Sequence, residues 1–383
     1  MRTKNQKIDL RTPPLLRIIL VGLALFNLGI LRDGAAEDEG KGKSFRFGIS
    51  APLSGVLAEY GAALRNGFSL AQRDFSTEFA SVDVFFEDSQ WDPKTAVSVF
   101  NALARVRNAQ LVYSWGTPTN EAVAPLAEAL KVSTLAMTGE AGAGRGRRFI
   151  VRTVALSQAF GSVLADHLLT QVKPKRIAVV LAENGYLRGI FEGLQERLKG
   201  SAVELELLAT FEADAADFRT VVSKMKNHRF DIVGVLLITG QVRNFFKQMR
   251  EQRVSLPTFG GSFFGSVTEI EASGEGIQGA IFPDLKVDSD FRDRYLKEFG
   301  NDIQIAFAAN AYDVAALVAK NFAAKGAGEM SPEDVMAKLR GATSIDGAHS
   351  QFRYSESTDA GAAFESPIVV RRVEGKGIVD LGL

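Results

Sequence analysis

From Phe45 onward the chain switches repeatedly between two hydrophobic rhythms. Apolar residues at every second position (Phe45, Phe47, Ile49) read as a strand. A small-residue turn follows, Pro52-Leu53-Ser54-Gly55, then the pair Tyr60-Gly61 and a helix with Leu64, Phe68, Ala71 and Phe75 on one side. A strand that ends in a Gly/Ser loop at a helix N-terminus presents unpaired backbone N–H groups to whatever lies above it. That is binding geometry, and no acid, base or nucleophile stands in it.

The rhythm continues along the chain. Strands are predicted at Val82–Glu87, Gln110–Trp115, Ser133–Met137 and Phe149–Thr153, then at Arg176–Leu181, Val203–Leu208 and Asp231–Ile238. Helices fall between them: one from Asp92-Pro93 with Ala96, Val99, Phe100 and Leu103 at helical spacing, then Asn120–Leu130, the region Phe160–Leu169, Leu187–Leu198, Ala216–Lys226 and Gln241–Gln252. Asp at N-cap and Pro at N1 are a helix start signal. Runs such as Ile177–Leu181 are apolar on both faces, as strands of a covered parallel sheet must be. Strict β/α alternation therefore predicts an α/β protein. Two blocks, roughly Ser44–Thr153 and Ala155–Phe282, each have the size of one doubly wound domain. Helices at Asp290–Phe299, Phe307–Ala324 and Ser331–Leu339 (capped by Ser331-Pro332) are expected to return to the first domain. The β-rich end, with strands at Gln351–Tyr354 and Ile368–Val373, is expected to join the second. Phe291, Phe307 and Tyr312 read as helix-face core.

Composition narrows the chemistry. The 383 residues are 46 % apolar and carry 45 Lys+Arg against 45 Asp+Glu. The balance supplies no electrostatic reason to bind nucleic acid or an anionic membrane. Cysteine is absent, which excludes disulfides, thiolate metal sites and thiol nucleophiles and suits an oxidising compartment. At the N-terminus Arg2, Lys4, Lys7, Arg11 and Arg17 precede the apolar run Ile18–Leu31 and the small residues Gly34-Ala35-Ala36. Such a run is shorter than the roughly 20 residues of a spanning helix, so a cleavable signal peptide over residues 1–36 is expected rather than a membrane anchor. The mature chain is then expected in the periplasm.

Enzyme signatures are missing. His167, His228 and His349 lie far apart with no metal-ligand spacing and read as surface or helix-end residues. No GxSxG occurs. The run Gly139–Arg148 looks superficially like a phosphate loop but lacks the Gly-Lys-Ser/Thr ending and leads into a strand, so a basic turn is the reading. Paired carboxylates such as Glu87-Asp88 are common at strand ends. No enzyme, metal or cofactor is expected.

In this layout the chain resembles the type I periplasmic solute-binding proteins of the leucine/isoleucine/valine-binding family. The motifs that carry the resemblance run in order: APLSGVLAEYGAALRNGFSLA at Ala51–Ala71, FEDSQWDPKTAV at Phe86–Val97, APLAEALKVSTLAM at Ala124–Met137, FIVRT, KPKRIAVV, ADFRTVVSKMK, FDIVGVLL and IDGAHSQFRYSE. It implies two doubly wound parallel-sheet lobes joined by three crossovers, with a ligand cleft between them and hinge closure on a small solute. The lobes are expected at 44–154 plus 284–341 and at 155–283 plus 342–383. It also implies delivery to the permease and ATPase subunits of an ABC transporter, by a monomer. A sensor domain on the same fold is the rival, and the end of the chain at Leu383 favours the transport component.

The resemblance places the ligand-holding hydroxyl of the loop after the third strand on Thr119, or with a one-residue slip on Asn120, within the segment that also holds Trp115 and Thr117. Thr138 and the Gly139 backbone form the next loop, with Glu140 a like charge beside a carboxylate ligand. These threonines could alternatively only close turns. The acidic residue that meets a ligand ammonium group falls on Ser262. A buried ammonium without a carboxylate costs several kcal/mol, so the expectation is a non-cationic solute: an aromatic or aliphatic acid, an amide or another neutral metabolite. An amino-acid binder with an altered anchor is the alternative. Tyr60 and Tyr186 match cleft-lining tyrosines of the family. Phe263, Phe264 and Trp115 supply aromatic packing, in the cleft or in the core.

Overall fold

The computed structural model describes residues 43–381 apart from 228, 325 and 343. The expected signal peptide and His228 lie outside the described residues. Among these, no helix is long and apolar enough to cross a membrane.

The first strands are β1 (Phe45–Ala51), β2 (Val82–Asp88), β3 (Leu111–Trp115), β4 (Ser133–Met137) and β5 (Ile150–Arg152). Next come β6 (Arg176–Ala182), β7 (Glu204–Phe211), β8 (Ile232–Leu236), β9 (Thr258–Gly260) and β10 (Ile281–Leu285). The last are β11 (Ser344–Ile345), β12 (Phe352–Ser357), β13 (Gly361–Glu365), β14 (Ile368–Glu374) and β15 (Gly377–Asp380). They form an eight-stranded sheet, β11-β12-β13-β5-β4-β3-β1-β2, and a seven-stranded sheet, β15-β14-β10-β9-β8-β6-β7. The first five strands of each half pair in parallel, and the late strands add antiparallel edges. Both sheets reverse direction at the same point, between β1 and β3 in one and between β6 and β8 in the other. Open α/β sheets bind ligands at such switch points, beyond the carboxyl ends of the strands.

Every residue of β3, β4 and β8 is buried, as expected of strands covered on both faces. Helices start where the sequence signals them. Asp92 accepts the Thr95 N–H at 2.8 Å, and Ser331 forms a capping box with Asp334. In the first lobe helix Ala58–Asp74 packs against helix Ile305–Phe322, and Phe45 stacks on Phe322 at 4.6 Å.

The chain passes between the sheets three times: between β5 and β6, between β10 and β11, and between β13 and β14. The third passage corrects the expectation that all of 342–383 joins the second lobe. β11, β12 and β13 extend the first sheet, because β13 pairs in parallel with β5 (Ala362 opposite Val151) and the Arg152 guanidinium reaches Glu365 at 3.8 Å. Only β14 and β15 join the second sheet. The second passage follows Leu285, so residues 284 and 285 complete β10. His349 is also corrected: it is fully buried, with Nδ1 at 2.7 Å from the Asp313 carboxylate.

Candidate functional site

A cavity lies between the two sheets, with about 660 Å³ of atom-free space counting its mouth. Tyr60, Trp115, Thr117, Thr138, Gly139, Tyr186, Ser262 and Phe263 all line it, so eight of the nine residues expected to touch a solute are brought together. The ninth, Thr119, is not. Its hydroxyl donates to the carbonyl oxygens of Trp115 (2.5 Å) and Gly116 (2.8 Å), and the residue is 0 % exposed. The reason is the helix start. The helix begins at Thr117 rather than Asn120, with Gly116 before it at φ +100°, where a side chain would be strained. Thr119 and Asn120 therefore sit inside the first turn and bond back to the strand end; the Asn120 amide donates to the Ser114 and Gly116 carbonyls.

Two of the hydroxyls at the cavity, those of Thr117 and Thr138, lie 3.2 Å apart. Beside them the first N–H groups of helix Thr117–Leu130 have no intrahelical partner, and the helix dipole favours negative charge there. Glu140 is not part of the lining. Its Oε1, like that of Glu121, lies 3.1 Å from where a Cβ at Gly185 would stand, on the rim where the first lobe meets the second-lobe helix Gly185–Leu198. Burial, then the charges of Glu121 and Glu192, raise the Glu140 carboxyl above its usual value against the pull of Arg152, and burial raises Glu121. A raised carboxyl penalises the folded state while ionised, and the penalty disappears as pH falls through the raised value. Glu140→Gln is therefore expected to raise Tm at pH 7. The gain should shrink toward zero as pH falls through the carboxyl range, read from thermal unfolding of both proteins at pH 7 and pH 4. A gain of the same size at both values would remove the electrostatic cause.

Aromatic rings form most of the wall. Tyr60 packs on Trp115 (5.3 Å between ring centroids) and on Phe307 (5.0 Å) in the first lobe. Phe160, Tyr186 and Phe263 follow one another at 5.9 and 6.3 Å in the second. Phe307 corrects its reading as core, since it lines the cavity, whereas Phe291 and Tyr312 are buried against each other at 5.3 Å. Phe264 is core, packed on Phe246 and Phe282. Leu187, next to Tyr186, is buried and fills the space above Gly261, where an added Cβ would lie 2.8 Å from it.

Trp91 is a lining residue that sequence reasoning missed. Gln90 and Trp91 both have left-handed φ, +52° and +57°, a conformation that persists only where neighbours over-determine it. Asp88 supplies that restraint by accepting from the backbone N–H of Leu53 and Gln90 and from the Ser54 hydroxyl. Burial works to raise the Asp88 carboxyl, but these bonds outweigh it and hold it below its usual value. The Trp91 indole lies over Gly116, 2.9 Å from where a Cβ would be, and meets Phe263 of the other lobe at 6.4 Å. The available signal was its place after β2, a further strand end facing the same cleft.

Asp284 is another missed residue. It lines the cavity while its carboxylate accepts from Arg371 Nη1 at 2.7 Å and from the Leu285 N–H at 2.9 Å. The position expected to be acidic, Ser262, instead donates its N–H to the Tyr186 hydroxyl at 3.4 Å. The glycine- and arginine-rich run ties back to the edge strands through Arg145, which donates to the Asp359 carbonyl at 2.6 Å. Among the described residues no group of three or more His, Cys, Asp or Glu is placed to hold a metal ion.

Comparison with known proteins agrees with this architecture. The chain is 25 % identical over 270 residues to the Leu/Ile/Val-binding protein of Escherichia coli K12, covering 68 % of this chain and 70 % of that one. A leucine-binding protein of Thermotoga maritima superposes with a TM-score of 0.77 at 17 % identity, covering 88 % of this chain and 97 % of the other. A solute-binding protein of an ABC transporter from R. palustris, solved with benzoate, gives 0.74 at 17 % identity, over 89 % of this chain and 96 % of that one. The sequence model of the family described as "Periplasmic binding protein" matches residues 44–377, and the chain belongs to that family.

Proposed function

We propose that the protein is the exported, periplasmic solute-binding component of an ABC importer. Its lobes close on a small aromatic or aliphatic acid, an amide or another non-cationic metabolite, and the closed form passes it to a permease driven by an ATPase. The observation that carries this reading is the wall itself. Aromatic rings from both lobes line the space, and the hydroxyls and helix N-terminus beside it suit an anion or a carbonyl oxygen. The E. coli relative is named for branched-chain amino acids and the R. palustris neighbour holds benzoate. Ser262 in place of an acidic residue favours the second kind of solute. Residues of both lobes line the space, so a solute gains most of its contacts on closure and shifts the population toward the closed form.

A thermal-shift series tests this with aromatic acids, aliphatic acids, amides and the branched-chain amino acids. One of the first three classes is expected to raise Tm, since binding to the native state adds about 2.7 kcal/mol at a hundredfold excess over Kd. Strong stabilisation by leucine or valine would overturn the non-cationic reading.

A further inference from the structure

We propose that the cavity carries a second polar anchor, Asp284 flanked by Tyr60 and Tyr186, which reads a neutral hydroxyl donor on the solute at the wall facing Thr117 and Thr138. The proposal rests on the aromatic-acid member of the solute classes proposed above. Thr117 and Thr138 belong to the first lobe, whereas Asp284 stands on β10 of the second, so the two polar groups approach a solute from opposite walls. A carboxylate has about four lone-pair sites. Arg371 and the Leu285 N–H take one on each oxygen of Asp284, which leaves acceptor capacity on a residue that lines the cavity.

The surroundings point the same way. The Tyr60 hydroxyl and the Trp115 indole N–H are buried at the cavity without a hydrogen-bond partner among the described residues. The Thr239 hydroxyl faces Tyr60 but is outside bonding geometry. Burial is the first cause that lifts the Tyr60 and Tyr186 phenols above their usual range, and the Asp284 charge adds to it in both. All three residues line the same cavity. Buried polar groups without partners are costly, and a solute hydroxyl that donates to Asp284 and accepts from Tyr60 would satisfy the Tyr60 hydroxyl.

Charge balance decides between a hydroxyl and an ammonium group. Arg371 also donates to Asp380 at 2.7 Å, and Arg292 lies 3.9 Å from the same carboxylate. Two guanidinium groups thus offset two carboxylates. A buried ammonium needs an uncompensated carboxylate, while a hydroxyl needs only a free lone pair.

The test is calorimetric titration with benzoate, 4-hydroxybenzoate and 4-methoxybenzoate, whose ether oxygen accepts but cannot donate. The wild-type protein is expected to bind the hydroxy acid roughly tenfold or more tighter than the other two, as a site built for a hydroxyl rejects analogues that lack it. The double variant D284A/R371M, which removes the acceptor without stranding the arginine, should bring the three constants to within about threefold of one another. Equal binding of benzoate and 4-hydroxybenzoate by the wild type overturns the anchor and leaves the aromatic-acid reading standing. So does a preference that survives in the folded variant. If the variant does not fold, the wild-type ratios alone decide. Binding of none of the three acids overturns the anchor together with the aromatic-acid member of the proposed solute classes, and leaves the aliphatic-acid, amide and neutral members standing.

Discussion

Gly67→Val is expected to destabilise the protein by about 3 kcal/mol or more, with loss of most solute binding. Gly67 lies on helix Ala58–Asp74 where it crosses helix Ile305–Phe322 backbone to backbone. A Cβ there would stand 2.0 Å from the carbonyl oxygen of Ala308 and 2.8 Å from its carbonyl carbon. Main-chain atoms cannot rotate away, so the helices must separate. Separation also reaches the cavity, because Phe307 precedes Ala308 and packs on Tyr60, which belongs to the same helix as Gly67. The Asn66 side chain, which donates to the Tyr295 hydroxyl at 3.0 Å, would lose its register too. Gly142→Ala is the control: its added Cβ meets nothing within 4 Å, and its unfolding free energy should stay within about 0.5 kcal/mol of wild type. Urea unfolding followed by circular dichroism measures both. A Gly67→Val midpoint within about 1 kcal/mol of wild type would show that the interface yields more than its geometry allows.

What the sequence made legible was local. Hydrophobic runs placed β3, β4 and β8, and capping residues placed the starts near Asp92 and Ser331, because both signals act over a few neighbouring residues. The first-lobe cavity residues Tyr60, Trp115, Thr117 and Thr138 were reached through the family resemblance, and they stand at or after the carboxyl ends of parallel strands, where open α/β sheets bind ligands. Pairing across long separations was not legible. Nothing within residues 344–365 shows that β13 will sit beside β5 rather than beside β14, because both choices bury the same alanines and phenylalanine. Helical periodicity likewise could not tell Phe307, at a cavity, from Phe291, in the core, as both lie on apolar helix faces. Thr119 was misplaced by three residues of helix start. Asp284 was hidden inside the apolar run of β10, and its importance comes from Arg371, which is 87 positions away.

Asp313→Ala is expected to cost about 3–5 kcal/mol, the range for removing one member of a buried hydrogen-bonded polar pair. Asp313 lies on helix Ile305–Phe322, is 0 % exposed, and accepts from the Ala348 N–H (2.6 Å), the His349 N–H (3.1 Å) and His349 Nδ1 (2.7 Å). Gly347 gives it room, since a Cβ there would stand 2.0 Å from Oδ1. Alanine would strand three buried donors at once, and each costs its desolvation. The loss would spread beyond the helix. The Ala348 carbonyl accepts the Asp288 N–H at 2.8 Å, and the Ser350 hydroxyl donates to the Asp288 carboxylate at 3.1 Å. Asp288 follows β10, where the chain makes its second passage between the lobes, and the adjacent Lys286 N–H bonds the Pro367 carbonyl at the third. Asp313 therefore holds a junction through which two of the three crossovers run. Asp313→Asn keeps one acceptor oxygen and the side-chain volume, so its loss should fall between alanine and wild type. Urea unfolding of the three proteins orders them. An Asp313→Ala protein within about 1 kcal/mol of wild type would mean that packing of the helix, rather than this carboxylate, fixes the junction.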